Sequence, residues 1–227
     1  KYEDPTRRDS LGHVLETYYS TAMANFARAT VTAHPSSLAA LSATKFLEQG
    51  NDLSLLRLLA DSLTLKFSGN RYVDDYVALV NDLEKLPPGS TAPPIVLQSM
   101  EGKTISLADY RGKIVLVDFW ASWCQPCRRA NPDLVRLYKK YQSDRIEFIG
   151  VSLDDNMDAW KRAVKNDGLI WPQVSELKKW DSRCVTDYKI GSIPYSILLD
   201  ESGKIIAKGL SAEDLDLKIQ ELLRKKS

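Results

Sequence analysis

Cys124 and Cys127 stand three positions apart in the run Trp120-Ala121-Ser122-Trp123-Cys124-Gln125-Pro126-Cys127-Arg128. A thiolate is the attacking species in disulfide exchange, so what matters is whether the surroundings ionise one of these thiols. The apolar run Ile114 to Trp120 ends just before the pair, and a helical pattern begins at about Cys124. Cys124 therefore falls at a strand-to-helix junction. There the unpaired N–H groups and the helix dipole favour an anion and draw the thiol pKa below its free value of about 8.5. Cys127 lies one turn deeper on the same helix face. That spacing suits a two-step exchange in which Cys124 attacks a substrate disulfide and Cys127 resolves the mixed disulfide. Pro126 is compatible with a first helical turn, where its missing N–H costs nothing.

Three other readings compete for the pair. Zinc takes about four ligands, and the remaining candidates are Cys184, His13 and His34, both histidines lying in the helical first part of the chain. A disulfide across two intervening residues closes a very short loop and stabilises little. Two unrelated buried cysteines are the third. The flanking tryptophans and the strand-to-helix position favour redox chemistry. Asp118 lies inside the apolar run. A carboxylate there is desolvated, which raises its pKa and suits it to accept a proton; an Asp satisfied by a backbone or lysine partner is the competing reading. Cys184, between Trp180 and Tyr188, reads as a small buried filler.

The elements that must hold these groups follow from periodicity. The clearest boundary is 87–94, Pro-Pro-Gly-Ser-Thr-Ala-Pro-Pro, which cannot continue a helix and favours an extended connection. Residues 1–86 read as a small all-helical segment. Leu11, Val14, Leu15, Tyr18, Ala22 and Phe26 line a first helix capped by Asp9 or Ser10 and broken at His34-Pro35. Ser36 caps a second with Leu38, Leu41 and Leu47, Asp52 begins a third with Leu55, Leu59 and Leu63, and Tyr72, Tyr76, Leu79 and Leu83 line a fourth.

Residues 95–227 alternate strand and helix. A hairpin, Ile95–Leu97 with Thr104–Leu107, precedes the strand Ile114–Trp120, a helix to Tyr141, the strand Ile146–Leu153 and a helix over 156–166. Short elements at 172–174 and 181–188, a hairpin of 195–199 with 205–210, and a helix from Ala212 to Arg224 complete an α/β domain with parallel and antiparallel strands.

The 227 residues carry 31 basic and 30 acidic side chains, 44% hydrophobic and 27% charged. Wholesale disorder is excluded, and a net charge of +1 gathers neither nucleic acid nor an anionic membrane. No apolar stretch is long enough to span a bilayer. Three cysteines are too few for a disulfide-built scaffold of this length.

Val117-Asp118-Phe119-Trp120-Ala121-Ser122-Trp123-Cys124-Gln125-Pro126-Cys127-Arg128, with Pro132 five residues beyond, resembles the thioredoxin superfamily. The N-terminal hairpin and the 156–171 segment are similar to its TlpA/ResA-type branch, envelope thiol–disulfide oxidoreductases. The segment ahead of the linker is similar to that of Bacteroidetes members, in which a β-rich domain often comes earlier. The resemblance covers about residues 93–225. It implies a thioredoxin-like mixed sheet, with Cys124 as the exposed nucleophile, Cys127 as the buried resolving thiol and Asp118 as the buried acid. It places Ile193-Pro194 in the cis-proline loop facing the cysteines, and Trp123, Gln125, Pro126, Ile193 and Pro194 on the substrate surface. A proline at 194 donates to no ladder, leaving nearby backbone free to pair with an extended substrate. Trp120 and Trp123 would cover the site; ordinary core packing is the competing reading, stronger for Trp120 than for Trp123.

Departures are visible: Gln125-Pro126 stands where Gly-Pro or Glu-Pro is common, so the redox poise does not transfer. Ala130 occupies a position where many relatives carry Glu.

The resemblance implies a periplasmic protein-disulfide reductase with no cofactor beyond its own redox-active disulfide. Its partners would be disulfide-containing proteins and a membrane thiol reductase as electron donor, with a lipid anchor ahead of Lys1. Alternatives are an oxidase or isomerase, a redox-sensitive binding or assembly protein acting through residues 1–86, or a thiol peroxidase. The last needs a hydroxyl three positions before its cysteine, where this chain has Ala121.

Overall fold

A computed structural model describes residues 5–49, 51–142 and 145–224, with side chains from residue 18 onward. The chain divides into two compact units, Lys1–Lys85 and Leu86–Ser227.

In the first unit, α1 (Pro5–Ala33), α2 (Leu38–Ala43), α3 (Leu53–Lys66) and α4 (Arg71–Lys85) gather around Val31, Leu56, Leu59, Leu63, Val73, Tyr76, Val80 and Leu83. Each fully buried leucine or valine contributes about 1.5–3 kcal/mol. Helices exist where the periodicity puts them, but several faces differ from the expected ones. α1 spans Pro5–Ala33, so Asp9 and Ser10, the expected caps, lie inside the helix. The side chains of Leu11, Val14 and Leu15 lie outside the described residues. Tyr18 and Phe26 are exposed, and among the described side chains of α1 the buried ones are Ala27 and Val31. On α4, Tyr72 and Leu79 face outward while Val73, Tyr76, Val80 and Leu83 form the buried stripe. Ser36 does not cap α2, whose N-cap position is Ser37 without a side-chain bond. Asp52 precedes α3 as expected, yet its carboxylate serves Arg28 Nε at 2.7 Å and the Glu48 N–H at 2.9 Å instead of the helix. Tyr76 donates its hydroxyl to the Leu56 carbonyl at 3.0 Å, which lets a tyrosine sit in the core.

The second unit holds a seven-stranded sheet in the order β2-β1-β5-β4-β3-β6-β7. Its strands are β1 (Val96–Ser99), β2 (Thr104–Ser106), β3 (Ile114–Trp120), β4 (Ile146–Ser152), β5 (Gln173–Ser175), β6 (Tyr195–Leu199) and β7 (Ile205–Lys208). Its helices are α5 (Gln125–Tyr141), α6 (Met157–Asp167), α7 (Arg183–Asp187) and α8 (Ala212–Arg224). β3 runs parallel to β4 and antiparallel to β6, and β4 runs parallel to β5. Every residue of β3 is buried, as its continuous apolar run requires of a strand covered on both faces. One face carries the cluster of Leu116, Trp120, Cys124, Cys127, Phe148 and Trp160; the other carries Val117, Phe119, Ile149, Cys184, Tyr188 and Ile197.

The proline-rich stretch is fastened to the β6–β7 turn and to β7. Gly89 N–H donates to the Ile205 carbonyl, Ile205 N–H to Ser90, and Ala92 N–H to Gly203. Extended backbone with free donors is what a sheet edge can use.

Candidate active site

β3 delivers the chain to the reactive cysteines, and a short loop turns it into α5. Asp154, just past the end of β4 and 1% exposed, holds that loop. Its carboxylate accepts from the Ser122 N–H at 3.0 Å, the Ser122 hydroxyl at 2.5 Å and the Ser152 hydroxyl at 2.7 Å. From the helix side, Arg128 donates Nη1–H to the Ser122 carbonyl at 3.2 Å while its other nitrogens grip Asp167 on α6. Asn131, buried on α5, donates to the same Asp167 at 2.6 Å. Ser122 thus has its N–H, O–H and C=O all engaged, two residues before Cys124. Trp123 donates its indole N–H to the Leu153 carbonyl at 3.2 Å.

Cys124 occupies the N-cap position of α5, with extended backbone, and its sulfur accepts from the Cys127 N–H at 3.2 Å. Such a donor, together with the helix dipole, stabilises negative charge on Cys124 sulfur whenever the pair is reduced. Here the two are joined as a disulfide, S–S 2.02 Å. Pro126 lies in the first helical turn, and Pro132 lies inside the helix.

Asp118 is 3% exposed in the middle of β3, and burial pushes its carboxyl up to about 7. It shares its sheet face with Leu116 and Trp120, the face that also carries Cys124 and Cys127. Its cross-strand neighbours are Gly150 on β4 and Ser196 on β6. At Gly150 a Cβ would come within 2.1 Å of the Gln173 side-chain oxygen, so a larger residue would displace the amide that lies across β4. The amide oxygen accepts the Trp120 indole N–H at 3.0 Å.

The Ile193–Pro194 peptide is cis. Pro194 is exposed, and Ile193 packs against the cluster that contains both cysteines.

Residues 88–208 match the AhpC/TSA family. The ResA thiol–disulfide oxidoreductase of a Bacillus cereus strain is 35% identical over 133 residues, 59% of this chain and 75% of that protein. That of Bacillus subtilis (strain 168) is 30% identical over 131 residues, 58% and 72%. Among solved structures, a thiol–disulfide oxidoreductase from Bacteroides fragilis NCTC 9343 aligns with a TM-score of 0.56 at 38% identity, covering 59% of this chain and 99% of that one. The thioredoxin domain of a thiol–disulfide oxidoreductase from Bacteroides vulgatus gives 0.57 at 36%, covering 60% and 98%. The chain belongs to the AhpC/TSA family and is a thioredoxin-superfamily thiol–disulfide oxidoreductase.

In this oxidoreductase the residues singled out from sequence are brought together unevenly. Cys124, Cys127 and Ile193 meet in one cluster. Gln125 and Pro126 are exposed beside the disulfide and Trp123 is 42% exposed, but Cys124, expected to be exposed, is buried at 4% because its sulfur is turned inward to bond Cys127. Trp120 does not cover the site: it is fully buried and bonded to Gln173, so the core reading holds for it. Cys184 lies under the opposite sheet face, 4% exposed, with its thiol pushed up to about 12 chiefly by burial.

Sequence reasoning missed Asp154, Ser122, Arg128 and Asp167 as the clamp on the loop that leads into Cys124. The available signal was an acidic residue just beyond the carboxyl end of a central parallel strand, where α/β sheets build their sites. It also missed Trp180, 43% exposed, whose ring lies 6.2 Å from that of Trp123. The backbone leading into Trp180 is unusual, with Leu177 and Lys179 at φ 56° and 48°. Lys179 pairs with Asp155 at 2.7 Å, tying this turn to the loop that holds Ser122.

Proposed function

We propose that the oxidoreductase reduces disulfides of other proteins in the bacterial periplasm or cell envelope, using Cys124 and Cys127 as its only redox groups. The observation that carries the proposal is the Cys124–Cys127 disulfide at the head of α5, with Cys124 at the N-cap and Cys127 one turn deeper. In the reduced enzyme the Cys124 thiolate attacks one sulfur of a substrate disulfide. A Cys124–substrate disulfide forms and the other substrate sulfur leaves as a thiolate, which takes up a proton. Asp118 accepts the proton of Cys127. The Cys127 thiolate then attacks Cys124 sulfur, closing the Cys124–Cys127 disulfide and releasing the second substrate thiolate. Two electrons pass from enzyme to substrate, and a second dithiol must return them.

Cys127 suits the resolving role because it lies one turn into α5 with its sulfur bonded to that of Cys124 at the helix start. Trp123, Gln125, Pro126, Ile193 and Pro194 form the rim on which an extended substrate lies, and the proline at 194 leaves neighbouring backbone free to pair with it. The likeness to ResA-type thiol–disulfide oxidoreductases supports the envelope setting; a membrane thiol reductase as electron donor and a membrane attachment belong to the same proposal. Among the described residues no helix is long and apolar enough to cross a membrane.

Trapping tests the cycle. Cys127→Ser enzyme mixed with a disulfide-linked peptide pair accumulates a peptide adduct on Cys124 that dithiothreitol releases. No adduct, under conditions where the unaltered enzyme reduces the peptide, contradicts the cycle.

A further inference from the structure

The amide of Gln173 is held at one end and open at the other. Its oxygen accepts the Trp120 indole N–H at 3.0 Å, which fixes which way the amide points. Its Nε2 is one of three buried side-chain nitrogens without a hydrogen-bond partner among the described residues. A buried N–H2 group with no acceptor is costly and rare enough to need a reason.

Register supplies one. Gln173 pairs with Gly150, and Gly150 with Asp118, so the three form a row across β5, β4 and β3 on a single sheet face. With no side chain at Gly150, the amide lies over the middle strand; a Cβ there would be 2.1 Å from its oxygen and 2.6 Å from its nitrogen. Trp120 stands two residues beyond Asp118 on β3, opposite Ser152. The oxygen is taken by the Trp120 indole, and the nitrogen, 2.6 Å from where a Gly150 Cβ would stand, lies over the residue that pairs with Asp118. Adjacent strands lie about 4.8 Å apart, so an amide over β4 that makes no direct bond is within one water of a carboxyl on β3.

We infer that Gln173 is the positioning donor for Asp118: its Nε2–H, through one buried water, hydrogen-bonds the Asp118 carboxylate when that group is ionised to take the Cys127 proton. The assignment rests on the exchange cycle proposed above. A hydrogen bond given to the ionised form favours it, so Gln173 extends to lower pH the range in which Asp118 can act as a base. The titratable groups on this face at the row are Asp118 on β3 and Cys124 and Cys127 on α5. β4, β5 and β6 contribute Gly150, Gln173 and Ser196, which do not ionise.

The test uses full-length protein carrying Cys184→Ser, reduced, and Ellman's reagent (5,5′-dithiobis(2-nitrobenzoate)) as the disulfide. Cys124 attacks first and releases one thionitrobenzoate. Cys127 gives its proton to Asp118, attacks Cys124 and releases the second. The second-phase rate is recorded from pH 5 to 9. Gln173→Met moves its acid limb to higher pH, slowing release about three- to tenfold on that limb while the plateau near pH 9 is unchanged. Gln173→Glu, which keeps an acceptor for Trp120 but adds a like charge beside Asp118, moves the limb further and stands in if the Met variant does not fold. A variant that is merely less stable, with a profile superimposed on the parent's, overturns the assignment. Asp118→Asn separates the two levels: if it slows the second phase and Gln173→Met does not shift it, only Gln173's role falls. If Asp118→Asn changes nothing, the proton step of the cycle falls, and the inference with it.

Discussion

Two places in this molecule bury cysteine to the same depth and make opposite use of it. Cys124, Cys127 and Cys184 are 4%, 1% and 4% exposed. Cys124 ends a β3-to-α5 loop, its sulfur facing the Cys127 N–H at the positive end of a helix. Cys184 sits beneath the opposite sheet face in α7, five residues long, with Glu176 and Asp187 near enough to add to the burial that pushes its thiol up to about 12. Exposure therefore does not separate a reactive thiol from an inert one here. What separates them is what the helix-start N–H groups face: at α5 the Cys127 N–H points at the Cys124 sulfur, whereas at α7 the Glu176 carboxylate takes the Arg183 and Cys184 N–H groups and adds a negative charge beside the thiol.

The sharpest way to break that contrast is to exchange the sulfurs for oxygen. Cys124→Ser lowers the rate of peptide-disulfide reduction by at least about a thousandfold, while Cys184→Ser leaves it within about twofold, measured by release of one strand of a disulfide-linked fluorescent pair. Comparable losses in both would erase the distinction.

Asp118 carries the next largest effect. Its folded pKa of about 7 lies above its unfolded value of about 3.9. Between these the folded protein holds a proton that the unfolded chain has released, so stability falls as pH rises through that window and the full cost is present above it. Asp118→Asn removes the cost. Oxidised variant is about 2–4 kcal/mol more stable than the parent at pH 8 and close to it near pH 3, by urea unfolding at both pH values. Equal gains at both ends would mean the carboxyl's charge is not the cause.

Loosening the nucleophile's loop comes third. Asp154→Ala leaves the Ser122 N–H without its acceptor and costs about 1–3 kcal/mol, and the Ser122 amide exchanges its proton faster in hydrogen-exchange experiments while the amides of β6 do not. The smallest effect belongs to the inert cysteine. Cys184→Ala costs about 0.5–1.5 kcal/mol in unfolding and leaves the Cys124 alkylation rate of the reduced enzyme unchanged.

Legibility in the sequence followed the range of the interaction. β3 was plain because its run Ile114–Trp120 is buried on both faces, and the turn into α5 followed from Pro126 and the period beyond it. On α1 and α4 the helices were legible but their faces were not. Tyr18, Phe26 and Tyr72 read as core by type, yet an aromatic can sit on the surface while smaller Ala27, Val31 and Val73 fill the tight helix–helix contacts. The cysteine pair was legible because its chemistry is local to four residues. Asp154 and Gln173 were not, because they meet Ser122 and Trp120 across 32 and 53 residues, and only the register of β3, β4 and β5 brings them there. Trp120 stayed open between cover and core for the same reason: its indole partner lies on β5.

The reduction potential of the Cys124–Cys127 pair, equilibrated in defined thiol buffers with Cys184→Ser, tests the central claim most directly. A protein-disulfide reductase is predicted to lie near the thioredoxin end of the scale, about −270 mV. A value between about −120 and −180 mV, the range of DsbA and protein disulfide isomerase, would contradict it and make the enzyme an oxidase or isomerase.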